Sequence, residues 1–170
     1  MSAPPSDWVC RFAGDVPAGP VLDLACGGGR HGRLFRARGH PVTLVDRDLS
    51  GVRDLVGLDG VEALQADLED GGPFPLAERG FAGVVVTNYL HRPLLPVLTA
   101  AVASGGMLLY ETFAQGQERL GRPTNPDFLL KPGELLEAVR GTLTVVAYED
   151  RTVHRPVPAR LQRICAIRPA

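Results

Sequence analysis

A glycine cluster and three acids carry the chemistry legible in this chain. The cluster lies in Asp23-Leu24-Ala25-Cys26-Gly27-Gly28-Gly29-Arg30-His31-Gly32, after a short apolar run and before an amphipathic one. Glycines placed there let the backbone turn tightly and let a ligand approach the start of a helix. Gly27, Gly29 and Gly32 satisfy the G-x-G-x-x-G spacing of a dinucleotide site, and Asp46 follows where such a site expects an acid for the ribose. Asp23 argues the other way. Beside a pyrophosphate it would set like charge against like, in a site arranged to attract anions. Beside a cationic ligand it would help. One such pair at about 4 Å, in an effective dielectric near 20, is worth about 4 kcal/mol before desolvation.

These residues need elements to hold them. Short apolar runs alternate with amphipathic stretches, the pattern of a parallel sheet covered by helices. Strands are expected at Val21–Leu24, 41–46, Val61–Gln65, 83–87 and 106–111. Helices are expected over 32–38, with Leu34 and Phe35 facing the sheet, and over 49–56. Two more are expected from Pro93 to about 103 and over 133–140, with Pro132 at the first helical position. Between the third and fourth strands, Gly71-Gly72-Pro73 and Pro75 leave room for at most one helical turn, so a covering helix is reduced or missing. Two β-rich runs, 143–148 and 161–167, flank an interval with Pro156 and Pro158 where no helix fits. They should pair antiparallel. The expected class is α/β: a Rossmann-like sheet of about seven strands, mostly parallel, ending in an antiparallel hairpin, all in one domain over 1–170.

The segment VLDLACGGG resembles the first motif of the class I S-adenosylmethionine-dependent methyltransferases, with Asp23, Gly27 and Gly29 at the matching positions. Ala25 stands where that family usually has its first glycine. VTLVDRD resembles the next motif, in which Asp46 would bind both ribose hydroxyls with Arg47 beside it. LQADLED resembles the third, in which Asp67 would accept from the adenine amino group while Leu68 packs or offers its backbone. Asn88 matches the position that closes over the methionine part. The resemblance runs in order from Val21 to Glu111 and the terminal hairpin agrees with it; the small size and NYLHRPLL followed by GGMLLYETF resemble small bacterial members grouped loosely with the tellurite-resistance type. It implies S-adenosylmethionine as cofactor and methyl transfer as activity. The literal glycine spacing keeps a nicotinamide dinucleotide as the competing ligand.

Methyl transfer from a sulfonium is an in-line displacement, so alignment matters more than acid or base chemistry. The acceptor wall is expected in Thr87-Asn88-Tyr89-Leu90-His91-Arg92, after the fourth strand. It lacks the N-P-P-Y pattern of amino-methylating enzymes, which counts against nucleobase and glutamine-amide targets. His91 is the candidate base, or else caps the following helix. Tyr89 is a candidate for lining the reacting end. Arg92 could hold an anionic substrate or pair with a surface carboxylate. Residues 111–131 form a long connection, and long connections in compact domains are usually functional or disordered. Glu111, Arg119, Arg122, Asn125 and Phe128 make it a candidate substrate lid. Trp8 and Phe12 could cover the cofactor or pack in the core.

Composition bounds the rest. The chain has 170 residues, 45% of them hydrophobic and 22% charged, which fits one soluble globular domain and excludes disorder, collagen and membrane spans. A net charge of −1 gives no electrostatic case for nucleic acid. Alternation along the last hairpin should put several of Arg151, Arg155, Arg160, Arg163 and Arg168 on one solvated face, and RNA remains the alternative acceptor to a small molecule. Three scattered cysteines and four histidines without H-x-x-x-H spacing predict neither a metal site nor disulfides. The first residues lack the basic and apolar regions of a leader, so a cytoplasmic protein is expected. A sheet face left bare by the reduced helix would invite a homodimer or a partner subunit, and such a subunit could bind cofactor without catalysis.

Overall fold

The computed structural model describes residues 2–170. Seven strands form one sheet: β1 (Val21–Leu24), β2 (Val42–Asp46), β3 (Val61–Gln65), β4 (Phe81–Thr87), β5 (Val102–Phe113), β6 (Thr144–Val153) and β7 (Ala159–Ile167). Their order is β3-β2-β1-β4-β5-β7-β6, with β1 to β5 parallel and β7 antiparallel to both β5 and β6. The mostly parallel sheet with a terminal hairpin is the expected class. β1 is buried at every position, as a central parallel strand covered on both faces must be.

Side-chain alternation splits the core in two. Leu22, Leu24, Val84, Val86, Leu108 and Tyr110 face one side, where α3 (Leu95–Ala100) and α4 (Glu134–Val139) cover them. Val21, Leu44, Val85, Leu109 and Cys165 face the other, under α1 (Asp7–Phe12) and α2 (Arg30–Ala37). Trp8 is 2% exposed in this second cluster and donates its indole N–H to the Ile164 carbonyl at 3.2 Å. Phe12 lies edge-on to it. Both aromatics are core residues rather than a cover for the cofactor.

The helices are shorter than their sequence periods suggest. The 49–56 segment forms one 3-10 turn (Ser50–Val52) followed by turns; Val52 and Leu55 are nevertheless buried against the glycine loop. α3 ends at Ala100 because β5 begins at Val102, well before the expected 106. Pro132 precedes α4 instead of opening it, since Gly133 takes the cap position at φ 73°. No helix spans 67–80, yet the sheet face there is not bare: Phe74 and Leu76 fold back into the core.

The C-terminal arginines do not share one solvated face. Arg160 pairs with Asp150 at 2.5 Å, Arg163 with Glu111 at 2.6 Å, and Arg168 donates to the carbonyls of Val102 and Thr99. Only Arg151 and Arg155 of the five are exposed. No described helix is long and apolar enough to cross a membrane.

Candidate functional site

A cavity of about 700 Å³ runs along the carboxyl ends of the strands, the edge where open α/β sheets bind ligands. Asp46, Arg47, Asp67, Leu68 and Glu69, from the ends of β2 and β3, line one side. Ala25 after β1, and Asn88, Tyr89 and Leu90 after β4, lie midway along the strand order. Thr112, Phe113, Arg122, Pro123 and Phe128 form the side built from β5 and its following loop. The acids thus gather at the β2–β3 side, and Phe113 and Phe128 with Arg122 at the β5 side.

The acid side is held by short backbone contacts. Asp46 accepts from the Gly27 amide at 2.8 Å and from the Asp48 amide at 3.0 Å. Asp67 accepts from the Glu69 amide at 2.9 Å. Gly29 caps α2 at φ 70°, and a Cβ there would meet Val52 Cγ1 at 2.6 Å, so only glycine fits. Ala25 at φ 52° and Asn88 at φ 54° are the only non-glycine residues with positive φ among the described residues. Both line the cavity, in a conformation that costs roughly 1–2 kcal/mol for a residue with a Cβ. Alanine at position 25 therefore keeps a glycine conformation without being glycine.

Asp23 sits behind this wall instead of in it. It is 2% exposed and accepts from the Gly32 amide at 2.8 Å. Burial pushes its carboxyl up to about 7, against the opposing pull of that amide and of Arg30. His31, also buried, accepts at Nε2 from the Ser6 amide at 3.1 Å, and its Nδ1 lies 3.4 Å from Thr87 Oγ1. Burial and then Arg30 push it down to about 4, so it stays neutral. It fixes the start of α1 to α2, a role the sequence did not announce.

The expected acceptor residues divide into three groups. Tyr89, Arg122 and Phe128 line the cavity. Burial, followed by Glu69, Asp67 and Asp46, pushes the Tyr89 phenol up to about 12, so it donates at neutral pH. Its backbone is pinned by the Tyr110 hydroxyl, 2.7 Å from the Tyr89 carbonyl. His91 lies outside the cavity lining, with Nδ1 3.3 Å from Glu69 Oε1, and heads a 3-10 turn (Arg92–Leu94). Arg92, Arg119 and Glu111 are not in the lining at all. Arg92 is committed to Glu134 at 2.6 Å. Arg119 faces a separate groove behind the loop. Glu111 is 6% exposed on the α1 side of the sheet, against Arg163.

Sequence reasoning overlooked Glu69, Thr112 and Phe113 in the lining. β5 continues two residues past the expected end, and strand alternation turns Thr112 toward the cavity while Glu111 turns away. The 111–131 loop is no free excursion. Leu130 donates to the Phe113 carbonyl and accepts from the Gln115 amide, each at 2.9 Å.

No family model matches the chain. It is 32% identical over 157 residues to a trans-aconitate 2-methyltransferase of Rhizobium meliloti, an alignment covering 85% of this chain and 55% of that protein. Among solved structures it superposes on TehB from Haemophilus influenzae with a TM-score of 0.70 at 18% identity, covering 96% of this chain and 62% of TehB. It also superposes on the 1,6-didemethyltoxoflavin-N1-methyltransferase of Burkholderia thailandensis, solved with bound 1,6-didemethyltoxoflavin and S-adenosylhomocysteine. There the TM-score is 0.69 at 20% identity, over 96% of this chain and 76% of the other. The chain thus spans little more than half of the sequence relative and under two thirds of TehB. Its fold is that of the class I S-adenosylmethionine-dependent methyltransferases.

Proposed function

We propose that the protein is an S-adenosylmethionine-dependent methyltransferase whose acceptor is a small molecule. One observation carries the reading. Ala25, Asp46, Asp67, Leu68 and Asn88, scattered over the motifs that resemble the family, line a single cavity in the strand order of the sheet. The donor set suits the cofactor. Two carboxylates can accept from ribose hydroxyls and an adenine amino group, and an apolar Leu68 can pack on the base. The cavity volume lies in the range of small-molecule and cofactor sites.

When bound, the cofactor supplies an electrophilic methyl on a sulfonium. Asp46 would hold the ribose, Asp67 and Leu68 the adenine, and the strained backbone at Ala25 and Asn88 would fix the methionine end. Tyr89, protonated at neutral pH, can donate to the acceptor but does not serve as its base. The trans-aconitate specificity in the name of the Rhizobium relative supports a small acceptor over a macromolecule. So does the pairing of Arg160, Arg163 and Arg168, which leaves no basic stripe for RNA on the terminal hairpin.

Calorimetry separates the cofactor classes. S-adenosylhomocysteine should bind and NADH should not. Binding of NADH without S-adenosylhomocysteine would overturn the reading.

A further inference from the structure

The β5 side of the cavity holds two outward-reaching side chains of unlike chemistry. The Arg122 guanidinium makes no hydrogen bond or ion pair among the described residues, and Phe128 is 47% exposed. Exposed side chains on a long loop ordinarily wander. Here the backbone beneath each is fixed by a different tether.

Gln117 is 4% exposed and uses both ends of its amide. Its Nε2 donates to the Arg122 carbonyl at 2.9 Å, and its Oε1 accepts from the Arg160 amide on β7 at 2.8 Å. Arg122 is thereby tied to the sheet. Arg92 does the same for Phe128. Its guanidinium donates to the carbonyls of Asp127 at 3.0 Å and Leu129 at 2.9 Å, the residues on either side of Phe128. The same group pairs with Glu134 at 2.6 Å, and Glu134 also accepts from the Lys131 amide at 2.7 Å. A planar fork spanning two carbonyls and a carboxylate is a geometry that lysine cannot reproduce.

We propose that this side of the cavity is a pre-built acceptor subsite for a small molecule carrying an anionic group on a flat apolar body. Arg122 and Phe128 recognise it; Gln117 and Arg92 are the positioning residues that aim them. The proposal rests on the methyltransferase reading, which makes this side of the cavity the acceptor's. Charge supports it. On the β2–β3 side the three carboxylates of Asp46, Asp67 and Glu69 outnumber the one cation, Arg47, while Arg122 is the only charged residue lining the β5 side among the described residues. An anion is therefore favoured at Arg122 and disfavoured at the opposite side, which orients the acceptor. Preorganisation supports it as well, because tethers made before binding spare the complex the entropy of ordering the loop.

The test uses trans-cinnamate and its neutral amide, cinnamamide, as probes, titrated by calorimetry or NMR into protein saturated with S-adenosylhomocysteine. The parent should bind cinnamate about ten-fold tighter than cinnamamide, as expected for a charge-assisted hydrogen bond. Arg122→Ala should bring that ratio to about one. Gln117→Glu, which still accepts from the Arg160 amide but cannot donate to the Arg122 carbonyl, should lower the ratio roughly three-fold or more. Arg92→Lys should weaken both probes by a similar factor and keep the ratio, because it displaces the apolar wall alone. A merely destabilising change would not move the ratio in this selective way. Equal binding of the two probes by the parent, absence of binding included, overturns the subsite. A ratio that survives Arg122→Ala does the same. Unchanged affinities in both Gln117→Glu and Arg92→Lys overturn the positioning roles. Loss of S-adenosylhomocysteine binding in the parent would fall on the methyltransferase reading instead.

Discussion

Asp46 Oδ2 accepts from the Gly27 amide at 2.8 Å, so the acid that ends β2 also closes the turn that follows β1. One carboxylate joins neighbouring strand ends before any ligand arrives. Its other oxygen accepts from the Asp48 amide at 3.0 Å, which fixes the direction in which the remaining lone pairs face the cavity.

Changing Asp46→Ala should weaken S-adenosylhomocysteine binding by about 1–3 kcal/mol, the worth of charge-assisted hydrogen bonds to a ligand. The Gly27 amide loses its partner in the same change, so a smaller loss of stability should accompany the loss of affinity. Calorimetry and urea denaturation on the same variant measure the two. Unchanged affinity would remove Asp46 from the ligand site.

Two buried groups give stability opposite pH slopes. Asp23 rises from the usual 3.8 to about 7, so the folded chain keeps a proton that the unfolded chain releases, and stability falls as pH rises between those values. His31 falls from 6.5 to about 4, so the folded chain binds fewer protons, and stability is lost as pH falls through that window. The slopes offset each other from about pH 4 to 6.5 and leave Asp23 alone just above it. Relative to the parent, Asp23→Asn should become progressively more stable as pH rises from 4 toward 7. Relative to the parent, His31→Gln should gain most at pH 4 and least near neutrality. Denaturant midpoints across that range decide it; parallel profiles for parent and variants would mean that neither group titrates as its burial implies.

The carboxyl ends of the first four strands were legible in the sequence and the long-range pairings were not. Val21–Leu24 and Val61–Gln65 stand in the structure as read: the first is a central strand buried on both faces and so wholly apolar but for Asp23, the second a half-covered edge strand that mixes apolar and polar residues. The cavity residues Asp46, Asp67 and Asn88 were legible because each ends or follows a strand and inherits its place from it. Arg92 and Glu111 were legible as charges but not as partners. Glu134 and Arg163 meet them only after the chain has crossed the sheet, and nothing local encodes that meeting. Helix lengths failed for a related reason. The 49–56 stretch buries Val52 and Leu55 with a turn as well as a helix would, so its apolar spacing did not decide between them.

Glu111 offers the sharpest separation of a structural charge from a substrate contact. Its carboxylate lies 2.6 Å from Arg163 Nε, both side chains are nearly buried, and Arg163 also reaches Glu149 at 3.3 Å. Removing one partner of a buried pair typically costs 3–5 kcal/mol, because the other charge is left without compensation. Glu149 remains beside Arg163, so Glu111→Gln should cost less, about 1–3 kcal/mol. Glu111 faces the α1 side of the sheet, away from the cavity, so the affinity for S-adenosylhomocysteine and for cinnamate should be unchanged in the fraction that is folded. Urea denaturation measures the first quantity and calorimetry well below the unfolding midpoint the second. A variant with parental stability and weakened cinnamate binding would return Glu111 to the acceptor site.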